Sequence, residues 1–301
     1  MMETNYHNPV LLKESVDGLN ILENGIYVDV TFGGGGHSKE ILRRLGSGGA
    51  LFAFDQDEEA LKNTIADDRF TLINENFRYV KQFLKFYGIR KVNGILADFG
   101  VSSHQFDKAE RGFSTRFDAD LDMRMSTRNK KSAYEVVNSY TYDELRNVLF
   151  RYGDLRRADA MAKTIIEHRV NEPIKTTVDL KMVLKQYLPK FRENKILAQV
   201  YQAIRIEVNQ ELAAIEEFLL QTPEIMDKGG RLSLISYHSL EDRLVKRFIR
   251  AGSFSSEAEK DFYGNINVPF KKVGGLIVPS ADEITKNSRA RSARLRIAER
   301  I

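Results

Sequence analysis

IYVDVTFGGGGHSKEIL, Ile26 to Leu42, is the stretch whose reading decides the fold. A run of β-formers ends in four consecutive glycines, Gly33 to Gly36, and an amphipathic helical pattern begins directly after them. A second apolar run, ALFAFDQD from Ala50 to Asp57, then reaches an acid at Asp55. That order describes a parallel-sheet nucleotide site, with adenosine lying across the ends of the first two strands. Glycines without Cβ take positive φ and let backbone approach a ligand, and the strand-to-helix turn aims free amide groups outward. Asp55 stands where a carboxylate accepts ribose hydroxyls. Alone, a glycine cluster is only a flexible turn; the strand before it and the acid after it argue for a site.

Two cofactor classes share this architecture. The dinucleotide fingerprint G-x-G-x-x-G wants a third glycine for tight helix–strand packing. Counting from Gly33 and Gly35 that position is Ser38, and from Gly34 and Gly36 it is Lys39, so the fingerprint fails in both registers. Asp29 lies on the strand itself, four residues before the first glycine. An acid so placed helps organise the loop around the amino-acid end of S-adenosylmethionine. The pattern therefore favours a methyltransferase over a dehydrogenase.

Composition sets bounds that agree. A chain of 301 residues can bury one large core or two moderate ones. No apolar run approaches membrane-spanning length and no signal-peptide pattern opens the chain, so a cytoplasmic protein without a membrane partner is expected. The chain has no cysteine, which excludes disulfides and thiolate ligands, and its five histidines lack ligand spacing, so no metal is expected. Methylation of a pyrimidine carbon 5, which normally needs a thiolate, is also excluded. Transfer to a nitrogen or oxygen lone pair survives. The net charge of +4 leans weakly toward an anionic partner. Lys286 to Arg300 holds six basic residues and one acid. Arg243, Lys246, Arg247 and Arg250 recur at helical spacing, and Arg151, Arg156, Arg157, Lys163 and Arg169 form a third group. One such cluster is often a solvated face; three beside a cofactor site favour nucleic acid.

Strands are expected at 26–32, 50–55, 70–74 and 93–98, with helical patterns between them, a βαβ series. The strand signal then stops. Helices are expected over Thr141–Gly153, with Thr141 and Glu144 as a capping box, and over Ala158–Val170, Val178–Leu188 and, uninterrupted, Ile196–Leu220. Sheet character returns at Lys228–Ser236 and in the last dozen residues. The expected architecture is α/β, a methyltransferase domain from 1–106 and 209–301 interrupted by a helical domain at 107–208.

Stretches along the whole chain carry a family resemblance: HNPVLLKE at 7–14, TFGGGGHS at 31–38, LADFGVSSHQFD at 96–107, ERGFS at 110–114 and LDMRM at 121–125. They continue with QAIRIEVNQEL at 202–212, GGRLSLISYHSLEDRLVKRF at 229–248 and NSRARSARLRIAER at 287–300. The chain resembles the RsmH/MraW family of bacterial 16S ribosomal RNA methyltransferases, which modify the exocyclic N4 nitrogen of a cytosine in the decoding region. The resemblance implies a class I S-adenosylmethionine-dependent fold with a helical insertion used for RNA recognition, and the small ribosomal subunit as partner. It implies cofactor contacts from Gly35, Gly36 and His37, ribose binding by Asp55, Phe77 beside the adenine, and Asp98 and Gln105 completing the pocket; Gly33 and Asp29 join them on the reading of the loop and strand given above. Gly34, where relatives often carry arginine, and His104, where proline is usual, depart from the family pattern. A homodimer, with the basic groups of the insertion at its contact, is left open.

Cytosine's amino lone pair conjugates into the ring, so an enzyme must align that nitrogen with the methyl carbon and offer acceptors for its protons. Direct in-line transfer needs no covalent intermediate. Asp98, Ser102 and Ser103 are the expected positioning groups, although Asp98 could instead serve the cofactor alone. Tyr237 and His238 follow the fifth expected strand, where they could meet an extruded base, with Arg243, Arg289 and Arg291 as further substrate contacts. The rival reading of that segment is a turn with Ser239 as helix N-cap. Methylation of a ribose 2′-oxygen or of protein, or a non-catalytic RNA-binding assembly role, remain as alternatives at this point.

Overall fold

The computed structural model describes residues 9–254 and 268–301; His7 and Asn8 of the first family-like stretch, and the side chain of Ser103, lie outside the described residues. Two compact units divide the chain, one comprising residues 1–100 and 212–301 and the other 101–211. Along the chain, the first unit opens with α1 (Leu12–Gly18), β1 (Ile26–Asp29), α2 (Gly36–Arg44), β2 (Ala50–Phe54), β3 (Phe70–Ile73), α3 (Val80–Phe86) and β4 (Val92–Asp98). The second unit holds α4 (Ser103–Asp107), α5 (Ala133–Ser139), α6 (Tyr142–Gly153), α7 (Ala158–Arg169), α8 (Thr177–Val183) and α9 (Glu193–Asn209). The chain then returns through α10 (Glu211–Ile225), β5 (Met226–Ser236), α11 (Ser239–Ala251), β6 (Phe270–Ile277), α12 (Ala281–Lys286) and β7 (Arg294–Arg300).

The seven strands form one sheet in the order β3-β2-β1-β4-β5-β7-β6. β1 to β5 run parallel, and β7 is antiparallel to both β5 and β6. Alternation along the strands feeds two apolar layers, as a sheet covered on both faces requires. Val28, Phe52, Phe54, Ile95 and Ala97 point into one layer with Leu84, Phe218 and Phe248. Tyr27, Leu51 and Leu96 point into the other with Val16, Ile41 and Leu42. Strand order reverses between β1 and β4, so a crevice opens beyond their carboxyl ends, the ligand position in open α/β sheets. Asp29 and Asp98 stand at those ends.

Two expectations need correction, and one strand has no counterpart among them. The single helix expected over Ile196–Leu220 is two, because Gln210 takes a left-handed conformation at φ 50° between α9 and α10. Buried Asn209 explains the break: its side-chain oxygen accepts from the Met125 amide at 2.7 Å and its nitrogen donates to the Met123 carbonyl at 2.8 Å. The helix ends for tertiary bonds, with no glycine or proline to announce it. The units also meet at 100/101 and 211/212, where the sequence suggests 106/107 and 208/209. Val101 and Phe106 pack on the helical core, and Glu211 binds Arg205 through bonds of 2.8 and 3.0 Å, so both boundary segments belong to the second unit. Finally, β6 carries exposed lysines and a register shift across Gly274–Gly275, an edge strand without the alternation that marks a strand in sequence.

The end of β5 is held by a polar clasp. Asp242, on the first turn of α11, is buried and accepts from Arg296 at 2.7 Å and from Arg294 at 3.1 Å, both on β7. Burial alone would raise the Asp242 carboxyl; the two guanidiniums overcome it and hold the group below its ordinary range. A depressed carboxylate stabilises above its unfolded pKa and loses that contribution as pH falls through the folded value. Asp242→Ala is expected to lower the unfolding free energy by about 2–4 kcal/mol at neutral pH. In urea titrations the gap to wild type should narrow as pH falls below ~4, the ordinary carboxylate value, toward the lower value of the folded group.

Candidate active site

The glycine loop is organised from beneath by Asp29. Its carboxylate is fully buried, with Oδ2 accepting from the Ser38 hydroxyl at 2.7 Å and Oδ1 from the Thr31 amide at 3.1 Å. Thr31 in turn accepts, through its hydroxyl, the amide of Asp98 at 2.6 Å, which ties the end of β1 to the end of β4. Gly33 donates its amide to Asp55 Oδ2 at 2.8 Å and so joins the loop to the end of β2. Gly35 caps α2 at φ 76°, where a Cβ would sit 2.9 Å from the Phe32 ring. A Cβ on Gly36 would lie 2.1 Å from Pro9 Cγ. Among the described residues no side chain caps the first turn of α2, so its amide groups face the crevice with the positive end of the helix dipole.

His37 is buried in that first turn, with Nε2 3.1 Å from the Val10 carbonyl. A carbonyl only accepts, so Nε2 carries the hydrogen and Nδ1 is the acceptor of a neutral ring. Burial pushes the imidazole below its ordinary value, against the opposing charge of Asp98. The Leu11 amide meets Glu283 at 2.7 Å. Pro9 to Leu11 thus form a strap over the loop, and their part went unrecognised in the sequence although HNPVLLKE marked it.

Asp55 accepts a second amide, from Asp57 at 2.8 Å, and its own carbonyl takes the side-chain amide of Asn74 at 2.9 Å. Half-buried Phe77 lies just beyond β3, its ring centroid 5.9 Å from Phe99 and 5.6 Å from Phe218. Burial pushes the carboxyls of Asp29, Asp55 and Asp98 each up to about 6. Bonds from Ser38 and Thr31 oppose the shift at Asp29, and the amides of Asp57 and Gly33 oppose it at Asp55. At Asp98 the opposing groups are His37 and the Tyr237 hydroxyl.

Asp98 pairs with Ile235 in the β4–β5 register, which brings Tyr237 beside it. The Tyr237 hydroxyl lies beside the Asp98 carboxylate and opposes its upward shift, while Asp98 Oδ1 is buried with no hydrogen-bond partner among the described residues. Burial, then the Asp98 charge, raises the Tyr237 phenol well above its ordinary value, so the hydroxyl stays protonated. The segment after Tyr237 is capped by His238 rather than Ser239. The Glu241 amide donates to His238 Nδ1 at 3.4 Å, and Glu241 Oε2 accepts the amides of Tyr237 at 2.8 Å and His238 at 3.2 Å. His238 Nε2 lies 2.9 Å from Glu241 Oε1. An imidazole nitrogen here takes the place of the usual hydroxyl cap.

The structure gathers Asp29, Gly33, Gly35, Gly36, His37, Asp55, Phe77, Asp98, Tyr237 and His238 in the first unit. Ser102 and Gln105 belong to the second, as partners in a capping box that opens α4, with Ser102 Oγ accepting from Gln105 at 3.2 Å. Arg243 is exposed on α11, in line with Lys246, Arg247 and Arg250. Arg289 and Arg291 lie on the short turn Ser288–Ser292, the first half-buried and the second exposed.

Comparison with known proteins decides what this loop belongs to. A model of the MraW methylase family matches residues 4–301. The chain belongs to that family. Ribosomal RNA small subunit methyltransferase H of Christiangramia forsetii is 66% identical over 301 residues, all of both chains. The protein of the same name from Flavobacterium johnsoniae is 67% identical over 296 residues, 98% of each chain. That of Bacteroides fragilis (strain YCH46) is 52% identical over 299 residues, 99% of this chain and 98% of the other. A solved rRNA methylase from Streptococcus thermophilus aligns at a TM-score of 0.44 with 12% identity, over 98% of this chain and 99% of that one, too remote to add weight. As a member of this methylase family the protein is a methyltransferase whose methyl donor is S-adenosylmethionine. Among the described residues no helix is long and apolar enough to cross a membrane.

Raised carboxyl values carry a stability penalty with a defined sign. A group whose folded pKa is raised binds protons more tightly in the native state, so its cost is present above pH ~6 and gone below pH ~4. Asp98→Asn is expected to raise the unfolding free energy of the cofactor-free protein by about 1–2 kcal/mol at pH 7.5, after discounting for partial exposure. Urea titration at pH 7.5 and pH 4.5 checks this: the advantage of the variant should shrink at the lower pH.

Proposed function

We propose that this protein transfers the methyl group of S-adenosylmethionine to the exocyclic N4 amino group of a cytosine in the 16S ribosomal RNA of the small subunit, in its decoding region. The observation that carries this reading is the state of Asp98, with the Tyr237 hydroxyl beside its carboxylate and Oδ1 buried without a hydrogen-bond partner among the described residues. A buried carboxylate oxygen without a donor is an acceptor in search of a hydrogen, and an amino group supplies one. The relatives are named for the ribosomal RNA of the small subunit, which supports that subunit as the substrate and, with it, a cytoplasmic location. A chain without cysteine has no thiolate for carbon methylation, and an amino acceptor needs none.

The residues of the first unit suit the methyl donor. The uncapped first turn of α2, with Gly33, Gly35, Gly36 and His37, would hold its amino-acid end above Asp29, Asp55 its ribose and Phe77 its adenine. Gln105 is assigned to the same pocket on the family resemblance alone. When bound, the donor supplies an electrophilic methyl carbon on a positively charged sulfur. Asp98 would orient the cytosine amino group through Oδ1 and accept its proton late, which a carboxyl raised to about 6 does more readily than an ordinary one. Tyr237 is a positioning residue: its hydroxyl fixes the Asp98 carboxylate and leaves only its ring to face a base. Ser102 and Ser103 are assigned to amino-group positioning more weakly, since the Ser102 hydroxyl already caps α4. His238, Arg243, Arg289 and Arg291 are assigned to RNA, as is the helical unit at 101–211.

The test is to incubate the protein with methyl-labelled S-adenosylmethionine and small subunits from cells lacking the enzyme, then identify the labelled nucleoside by mass spectrometry. Label in N4-methylcytidine or its 2′-O-methylated form is expected, and none with Asp98→Ala. Label on a ribose oxygen or on protein overturns the acceptor. Tyr237→Phe is expected to lower kcat about tenfold, the equivalent of one hydrogen bond to a charged group, with the calorimetric affinity for S-adenosylmethionine unchanged.

A further inference from the structure

The segment from Phe77 to Ala97 contains five cations, Arg78, Lys81, Lys85, Arg90 and Lys91, and no carboxylate. Two are neutralised by α10, where Arg78 meets Glu217 at 3.0 Å and Lys81 meets Glu224. Lys91 donates to the Met226 carbonyl at 3.3 Å and adds to the positive field on Glu224. Lys85 and Arg90 are exposed and have no carboxylate partner among the described residues. On the adjoining strand β5, Asp227 is followed directly by Lys228.

Two aromatic rings stand among these cations. Phe86 is 79% exposed and Tyr87 43%. They meet edge to face with centroids 5.2 Å apart, and Tyr87 leans on Phe52 of the sheet at 5.5 Å. The chain beneath them is fixed. Gly88 at φ 77° donates to the Lys85 carbonyl at 3.0 Å, and Ile89 donates to the Leu84 carbonyl at 2.8 Å, the paired bonds of a Schellman motif. Ile89 supplies the apolar contact that closes such a motif, by packing on the core of the sheet. Helix capping therefore accounts for Gly88 and Ile89 but gives Phe86 no role. A single exposed ring is ordinary; a rigid pair bracketed by Lys85 and Arg90, neither with a carboxylate partner among the described residues, is a different feature.

We infer that Lys85, Phe86, Tyr87, Arg90 and Lys91 form a second RNA contact, a stacking platform for an unpaired base with cations for the adjoining phosphates. This deepens the reading above and rests on RNA being the substrate. Base stacking on an exposed ring beside backbone-neutralising cations is how sequence-tolerant sites hold single strands. A protein partner fits less well, because lysine is depleted in protein interfaces. Arg90 and Lys91 directly precede β4 and Asp98 ends it, so the platform and the active site lie at opposite ends of a seven-residue strand. That separation is roughly 20 Å. One nucleotide cannot fill both; a structured RNA can. The distant contact holds the RNA while a base is drawn from its stack at the active site.

Binding to small ribosomal subunits from cells lacking the enzyme tests the platform, over a range of salt, with Phe86→Ala and with Lys85→Glu combined with Arg90→Glu. Calorimetry with S-adenosylmethionine establishes that each variant is folded and keeps its cofactor site. Phe86→Ala is expected to weaken subunit binding about five- to a hundredfold. The double variant should reduce the slope of log affinity against log salt by about 1.4, two phosphate contacts. Unchanged affinity of Phe86→Ala overturns the inference. Weakening by Phe86→Ala with an unchanged salt slope in the double variant assigns the ledge to a protein partner and also overturns it. A wild-type protein that binds no subunits overturns instead the substrate reading on which the platform rests.

Discussion

Everything at the carboxyl edge of the sheet depends on the buried charge of Asp29. Its two oxygens hold Ser38 and Thr31, and Thr31 passes the constraint to Asp98. Gly33, within the same loop, passes it to Asp55. Three strand ends are thus joined by hydrogen bonds rather than by packing, and polar links of this kind fix geometry more narrowly than apolar contact does. The arrangement has an electrostatic consequence. Asp29 raises both Asp55 and Asp98 through like charge, in addition to burial, so the unliganded site repels itself. A positively charged ligand relieves that repulsion, which is the behaviour expected of a site that trades stability for binding.

The parts of the site legible in the sequence are those whose partners lie within one βα unit. Asp29, Gly33 to Gly36 and Asp55 could be read because a strand, a turn and a helix fix their spacing, and spacing is what a sequence displays. Partnerships between distant segments were invisible for the opposite reason. Nothing near Gly36 announces that Pro9 lies against it, and nothing near Asp98 announces the Tyr237 hydroxyl. The α9–α10 break belongs to the same class, since the bonds that stop α9 come from Met123 and Met125. The cap of α11 was displaced by one residue for a chemical reason instead. Hydroxyl and carboxylate side chains dominate caps, so Ser239 drew attention, whereas the structure uses an imidazole nitrogen of His238.

Charge shows how composition can mislead even when each residue is read correctly. Six basic residues crowd the last sixteen positions, yet Arg294 and Arg296 hold Asp242, and Arg300 donates to the Pro223 and Pro269 carbonyls. In the second unit Arg169 is committed to the Val137 and Tyr140 carbonyls, and Arg157 lies over the Tyr187 ring. Such cations maintain the fold and have little left for a polyanion. Those of α11, and Lys85 and Arg90 on either side of the turn after α3, have no such engagement among the described residues, and all are exposed. A count of Lys and Arg cannot distinguish the two kinds; their partners can.

Asp98 occupies a position that no single substitution can resolve. Its backbone amide belongs to the loop that Asp29 organises, its carboxylate to the pair with Tyr237, and its free oxygen to whatever enters the crevice. Removing the side chain disturbs the charge balance of Asp29 and Asp55 as well as the acceptor, so loss of turnover alone would not separate cofactor binding from amino-group orientation. Tyr237 does separate them. Its phenol touches the carboxylate only from the β5 side and makes no bond to the glycine loop, and a phenylalanine ring there keeps the volume. An effect on turnover without an effect on cofactor affinity can then only come from the orientation of the carboxylate. The arrangement of β4 beside β5 makes that distinction available, because it places the orienting hydroxyl just past the end of a strand that the cofactor loop does not share.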